Sequence, residues 1–136
     1  MLVLIVEDDP LIGMDLREEL ISAGYEVVGP ATDDREAIAL AEQRPPEVAL
    51  IDIDLCGDNE GVAVARRLHG ELGVATVFVS GERDTAMANQ DAAIGYLPKP
   101  YTHHDAISTI EVAAEVGRGG AVPPPMVPRA MKLFRH

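Results

Sequence analysis

Short, continuous apolar runs alternate along this chain with longer amphipathic stretches, five times within the first 118 residues. Leu2–Val6 is the first run and reads as a strand buried on both faces. Asp9 and Pro10 follow as a helix cap with proline in the first turn. Ile12, Leu16 and Leu20 then recur every four residues as one helical stripe, and Gly24 stands where a helix C-terminal glycine belongs. Residues 25–28 are the second expected strand, interrupted by Gly29-Pro30. Asp33 and Glu36 have the spacing of a capping box for a helix reaching about Gln43, closed by Pro45-Pro46.

The third strand spans 48–51 and ends on Asp52. A loop rich in Gly, Asp and Asn, from Cys56 to Gly61, leads to a helix carrying Val62, Ala65, Leu68 and Leu72. Residues 75–79 form the fourth strand, ending at Ser80-Gly81. Residues 82–93 have weak helical periodicity and a single large apolar residue, Met87, so the fourth helix is expected to be short or irregular. Residues 95–97 form the fifth strand, before Pro98-Lys99-Pro100, and Ile107, Ile110 and Ala114 mark the last helix. Five strands alternating with helices predict an α/β fold. The continuous apolar strands call for a single parallel sheet covered on both faces, and right-handed crossovers make it doubly wound. Ligands of such sheets bind beyond the carboxyl ends of the strands.

Composition narrows the class. The 136 residues suit one domain, and 47% apolar residues exclude global disorder. The net charge of −12, with no Trp and two Phe, argues against nucleic-acid binding by charge or by base stacking. A single cysteine, Cys56, makes no internal disulfide and fits a reducing compartment. The six-residue apolar start has no basic lead-in and is far shorter than a spanning helix, so no membrane segment is expected and the cytoplasm is the default location.

The charge is uneven. Residues 1–118 hold all 23 acids and eight of the 11 bases, whereas 119–136 hold three bases (Arg129, Lys132 and Arg135) and no acid. With Pro123-Pro124-Pro125 and Pro128, this end reads as a flexible Pro/Gly-rich tail beyond a 1–118 domain. Met131, Leu133 and Phe134 form a short sticky turn within it, and the alternative reading is a docking peptide for a partner or a second subunit.

The strand ends carry the candidate chemistry. Glu7 and Asp8 follow the first strand, Asp52 the third, Ser80 the fourth and Lys99 the fifth. In a parallel sheet these ends meet at one edge. Two like charges about 4 Å apart repel by roughly 4 kcal/mol at an effective dielectric of 20, so three acids in one cleft protonate or bind a cation. Hard oxygen ligands select magnesium or a similar ion, which favours phosphate as a further ligand. Lys99 adds positive charge, and Ser80 with the Gly81 amide adds donors, which makes a phosphoryl-transfer constellation.

Four segments, 4–10 (LIVEDDP), 50–55 (LIDIDL), 79–81 (VSG) and 96–100 (YLPKP), together resemble two-component response-regulator receiver domains. The resemblance implies a CheY-like (flavodoxin-like) sheet of strand order 2-1-3-4-5. It implies Asp52 as phosphoacceptor, Asp8 as direct magnesium ligand, Glu7 acting mainly through water, and the Asp54 backbone carbonyl as a further ligand; manganese is an alternative ion. It also implies Ser80 and Lys99 as phosphoryl-binding residues, Tyr96 as the aromatic switch and Pro100 as a cis proline. The implied partners are a sensor histidine kinase or phosphotransfer protein and a downstream protein target, with a homodimer allowed. In this family phosphorylation draws the Ser and the aromatic ring inward and repacks the face of the fourth helix, fifth strand and fifth helix.

Several residues depart from the usual receiver pattern or carry weaker signals. Cys56 replaces the usual proline, the following loop is one residue long of the norm, and the Ser80–Lys99 interval is short. Residues 52–57 (DIDLCG) are similar to an atypical subset paired with HWE-type histidine kinases. Asp54 and Glu82, both acidic here, occupy positions that tune phosphoryl lifetime in the family. His103, His104 and the Arg66-Arg67 pair read as surface or capping residues. Two alternatives stay open: a haloacid-dehalogenase-like phosphohydrolase built on Asp52 and Asp54 at the end of 48–54 (VALIDID), and an unphosphorylated interaction module that kept the fold.

Overall fold

The structure is a computed structural model that describes residues 1–55 and 60–134. The expectations for Cys56, Gly57 and Arg135 lie outside the described residues. The elements are β1 (Leu2–Val6), α1 (Pro10–Ser22), β2 (Glu26–Ala31), α2 (Asp34–Gln43), β3 (Val48–Asp52), α3 (Glu60–Arg66), β4 (Ala75–Ser80), α4 (Arg83–Ala88), β5 (Gly95–Pro98), α5 (His103–Gly117) and β6 (Lys132–Leu133). The sheet order is β2-β1-β3-β4-β5-β6. The first five strands are parallel, as the alternating pattern requires, and β6 is antiparallel to β5.

Side chains alternate across the sheet and divide the core into two layers. Leu4, Val6, Ile51 and Phe78 face α2 and α3, joined by Ile38, Val64 and Leu68. Val3, Ile5, Leu50 and Val77 face α1 and α5, joined by Leu16, Leu20 and Ile110. Three of the helices, α1, α2 and α5, start where side chains cap them. Asp9 accepts from Leu11 and Ile12 amides, with Pro10 in the first turn. Asp33 accepts from the Glu36 amide while Glu36 accepts from the Thr32 amide. Thr102 and Asp105 form a reciprocal capping box at α5.

Three expectations change, and one holds. First, β2 does not stop at Gly29-Pro30 but runs through it to Ala31, with a register shift opposite Leu4 and Val6. β2 is the edge strand, where proline's missing N–H costs no ladder bond. Gly29 sits at φ +93, and a Cβ there would lie 2.5 Å from the Ile5 carbonyl oxygen. Arg17 Nη1 donates to the exposed-edge carbonyls of Val27 and Gly29. Second, the third helix is regular only to Arg66 and continues as a wider π-turn over Arg67–Glu71, which keeps Leu68 buried but leaves Leu72 partly exposed. The expectation that holds is α4, which is short, six residues followed by a 3-10 turn at Gln90–Ala92, as its weak periodicity predicts.

The third change is the tail. The five-stranded sheet with a flexible 119–136 extension becomes a six-stranded sheet, because Lys132–Leu133 pairs with β5 and Met131 and Phe134 are buried. Proline content limited helix formation in this segment, but it did not prevent three large apolar side chains from finding an open sheet edge. Among the described residues no helix is long and apolar enough to cross a membrane.

Candidate functional site

Register alone brings the polar strand ends together. Val6 pairs with Ile51, so the next residues, Glu7 and Asp52, stand side by side on the two central strands. Asp52 pairs with Val79 and Ser80 with Pro98, which sets Ser80 and Lys99 on the neighbouring strand ends. Carboxylate oxygens of Glu7, Asp8 and Asp52 lie within 4.8 Å of one another. Lys99 Nζ donates to Glu7 Oε1 at 2.9 Å and lies 3.6 Å from Asp52 Oδ2.

Burial grades the cluster. The Glu7 side chain is 7% exposed, Asp52 12% and Lys99 25%, while Asp8 opens to solvent. Burial raises the Glu7 carboxyl pKa to about 7; the Lys99 hydrogen bond opposes this rise and the adjacent Asp52 adds to it. For Lys99, burial disfavours the ammonium, but the hydrogen bond and charge of Glu7, with Asp52 behind it, outweigh that and leave its pKa raised. Lys99 is therefore a fixed cation, and Glu7 is the carboxyl whose proton is easily displaced.

Backbone contacts tie the rest of the constellation to these groups. The Asp54 amide donates to Asp52 Oδ1 at 3.1 Å, which holds that carboxylate and brings the Asp54 backbone beside it. The Asp54 and Glu82 side chains are exposed. The Ser80 hydroxyl oxygen accepts from the Glu82 amide at 2.9 Å. The Ser80 carbonyl accepts twice, from the Lys99 amide at 2.9 Å and from the Tyr96 hydroxyl at 2.9 Å. Tyr96 is 1% exposed, with its ring in the α2/α3 layer. Gly81 is exposed, and the Lys99–Pro100 peptide is cis.

Two residues next to the cluster drew no functional reading from sequence. Tyr101 is a half-buried phenol whose pKa burial pushes up. His103 bridges to Asp15 at 3.0 Å and Glu19 at 3.4 Å, so the first turn of α5 is clasped to α1. Together with Leu11, Ile12, Lys99 and Pro100 they line a groove of about 650 Å³ beside the carboxylates. Leu11 is 83% exposed there.

A sheet of order 2-1-3-4-5 with this set of strand-end residues defines a class, and comparison with known proteins agrees with it. The family model for the response regulator receiver domain matches residues 3–111, and the chain belongs to that family of two-component phosphoacceptor signalling modules. It is similar to the transcriptional regulatory protein PdtaR of Mycobacterium tuberculosis, 39% identical over 115 residues, covering 82% of this chain and 55% of PdtaR. It is also similar to the positive alginate biosynthesis regulatory protein of Pseudomonas aeruginosa, 35% identical over 124 residues, covering 85% of this chain and 48% of that protein. The chain thus spans about half the length of these curated relatives. Among solved structures, it resembles the signal receiver domain of a modulated diguanylate cyclase from Desulfovibrio desulfuricans G20. The TM-score is 0.77 at 34% identity, over 86% of this chain and 95% of that one. Nothing in the geometry or these relatives favours the dehalogenase alternative.

Proposed function

We infer that this chain accepts a phosphoryl group on Asp52 from a phosphohistidine of a sensor kinase or phosphotransfer protein, and passes the signal on by contact with a downstream protein. The observation that carries the reading is the meeting of Glu7, Asp8 and Asp52 within 4.8 Å under the Lys99 ammonium. Three hard carboxylate oxygens fit a magnesium or manganese ion rather than a soft metal. Glu7, Asp8 and Asp52 would hold it, with the Asp54 backbone carbonyl as a further ligand. Once bound, the ion supplies charge that offsets the phosphoryl oxygens.

The chain's own residues supply the rest. An Asp52 carboxylate oxygen forms the new O–P bond as the donor's P–N bond breaks, with that bond's electron pair staying on the imidazole. Lys99, 3.6 Å from Asp52 Oδ2, balances the charge carried onto the phosphorylated residue. Ser80 Oγ accepts from the Glu82 amide and keeps its own proton for donation to a phosphoryl oxygen. Because the Ser80 carbonyl also holds the Tyr96 hydroxyl, a shift of Ser80 reaches the buried ring directly. The groove beside Lys99, with exposed Leu11, offers a donor protein an apolar approach. The test is incubation with magnesium and acetyl phosphate or beryllofluoride, read by intact mass or by fluorine resonance. Wild type is expected to form one adduct and Asp52→Asn none; an adduct on both, or on neither, overturns the assignment.

Glu7 gives a second expectation. Its folded-state pKa of about 7 lies above the unfolded value of 4.5, so the folded protein holds the proton more tightly. The stability from this group is full below about 4.5 and is lost as pH rises through about 7. A cation must displace the same proton. Magnesium is therefore expected to bind about tenfold more weakly at pH 6 than at pH 8, releasing close to one proton at the lower pH. Titration calorimetry in buffers of different ionisation enthalpy measures both; pH-independent affinity would refute the coupling.

A further inference from the structure

The strand β6 is the least expected element of this fold, and its side chains straddle the sheet. Met131 and Leu133 enter the α1/α5 layer, while Phe134 enters the α2/α3 layer. The Phe134 amide donates to the Ile94 carbonyl at 2.9 Å, and Gly95 and Tyr96 pair with Leu133 and Lys132. The edge is shaped for this approach. A Cβ on Gly95 would lie 2.8 Å from Met131 Cε and 2.9 Å from the Lys132 carbonyl oxygen, so only glycine lets the tail so close. On the other face the cover beside β5 is built from small side chains. The buried residues of α4 and the following turn are Ala86 and Ala92, which leaves room for the Phe134 ring.

The tail uses only part of this edge. β5 runs over Gly95–Pro98, but β6 pairs with Gly95 and Tyr96 alone. The Met131 amide turns away to the Pro128 carbonyl at 3.0 Å instead of continuing the ladder along Leu97. The approach from α5 is a chain bent at Gly119 (φ +84) and through a 3-10 turn, Pro124–Met126, that buries no residue. A longer strand entering from outside would gain the pairing the tail leaves unmade, which is how extended peptides add to sheet edges.

We propose that the β5 edge is a binding site for an extended peptide strand bearing two apolar side chains on one face and an aromatic one on the other. The chain's own residues 131–134 occupy it as a tethered competitor of a partner's strand. The partner is a protein segment of the same pattern as 131–134, added antiparallel to β5.

The probe is a labelled peptide of residues 128–134 (PRAMKLF), titrated into the full chain. A short tether holds its segment at an effective concentration in the millimolar range, so the wild type is expected to bind the free peptide weakly. Met131→Ser combined with Phe134→Ser removes both anchors and is expected to bind it about tenfold more tightly. Adding Gly95→Val, which puts a side chain where Met131 and the Lys132 backbone lie, should abolish the gain. Hydrogen exchange at the Phe134 amide reports separately whether the tail has left, and a melting curve reports the fold. Equal peptide binding by wild type and double variant, a tail that stays protected without its anchors, or indifference to Gly95→Val would each overturn the proposal.

Discussion

Gly61→Ala is expected to cost about 3 kcal/mol and to lower the melting temperature by about 10 °C. Gly61 opens α3, and a Cβ there would run into the Asp52 carbonyl oxygen and lie 2.8 Å from the Cα and carbonyl oxygen of Ile53. All three atoms are backbone, so no side chain can swing aside. The Gly61 amide also donates to the Ile53 carbonyl at 3.1 Å, which pins the helix start against the end of β3. To admit the methyl group, either α3 backs away from the sheet or the end of β3 moves, carrying Asp52 out of line with Glu7. The variant should therefore lose most of its acetyl-phosphate labelling as well as stability. Gly70→Ala is the control: nothing lies within 4 Å of its added Cβ, so stability should be unchanged or slightly higher. Thermal melts of both, with adduct yield at a fixed time, decide the matter. A Gly61→Ala protein as stable and as readily labelled as wild type would show that the contact yields freely.

Lys99→Met is expected to destabilise the metal-free protein by about 2 kcal/mol and to make its stability more dependent on magnesium. The methionine keeps the apolar stem but removes the ammonium 2.9 Å from Glu7 Oε1 and 3.6 Å from Asp52 Oδ2. Glu7 is then a buried carboxyl beside a carboxylate, without its cation. It stays protonated to higher pH, which moves the stability lost on raising pH to a higher range. A divalent cation supplies the missing charge, so the rise in melting temperature between chelator and millimolar magnesium should exceed that of wild type. Equal shifts in the two proteins would mean that Lys99 does not offset the acids.

Much of the site was legible because of where its residues stand in the pattern. Glu7, Asp52, Ser80 and Lys99 each follow closely on an apolar run, and in a parallel sheet every such run ends at the same edge. The short fourth helix was legible for the opposite reason, since a stretch with few large apolar residues has little to bury. Other features depend on partners distant in sequence. That Glu7 faces Lys99 across 92 residues, and that its carboxyl pKa rises, follows from which side chain the sheet edge encloses. Tyr101 and His103 gain their place from α1, to which no local pattern points.

The tail marks the division most clearly. Its composition, rich in proline and without acids, describes the segment alone and reads as a flexible extension. Whether Met131, Leu133 and Phe134 stay in water or join the core depends on an open β5 edge, a glycine at position 95 and small residues beneath α4. By itself, then, the sequence determined the order of strands and helices and the polar residues at each strand's end, because periodicity and capping act over a few residues. The tertiary structure decided which of those acids is buried, which amide meets which carbonyl and where the last residues go, because burial and sheet pairing join residues far apart in the chain.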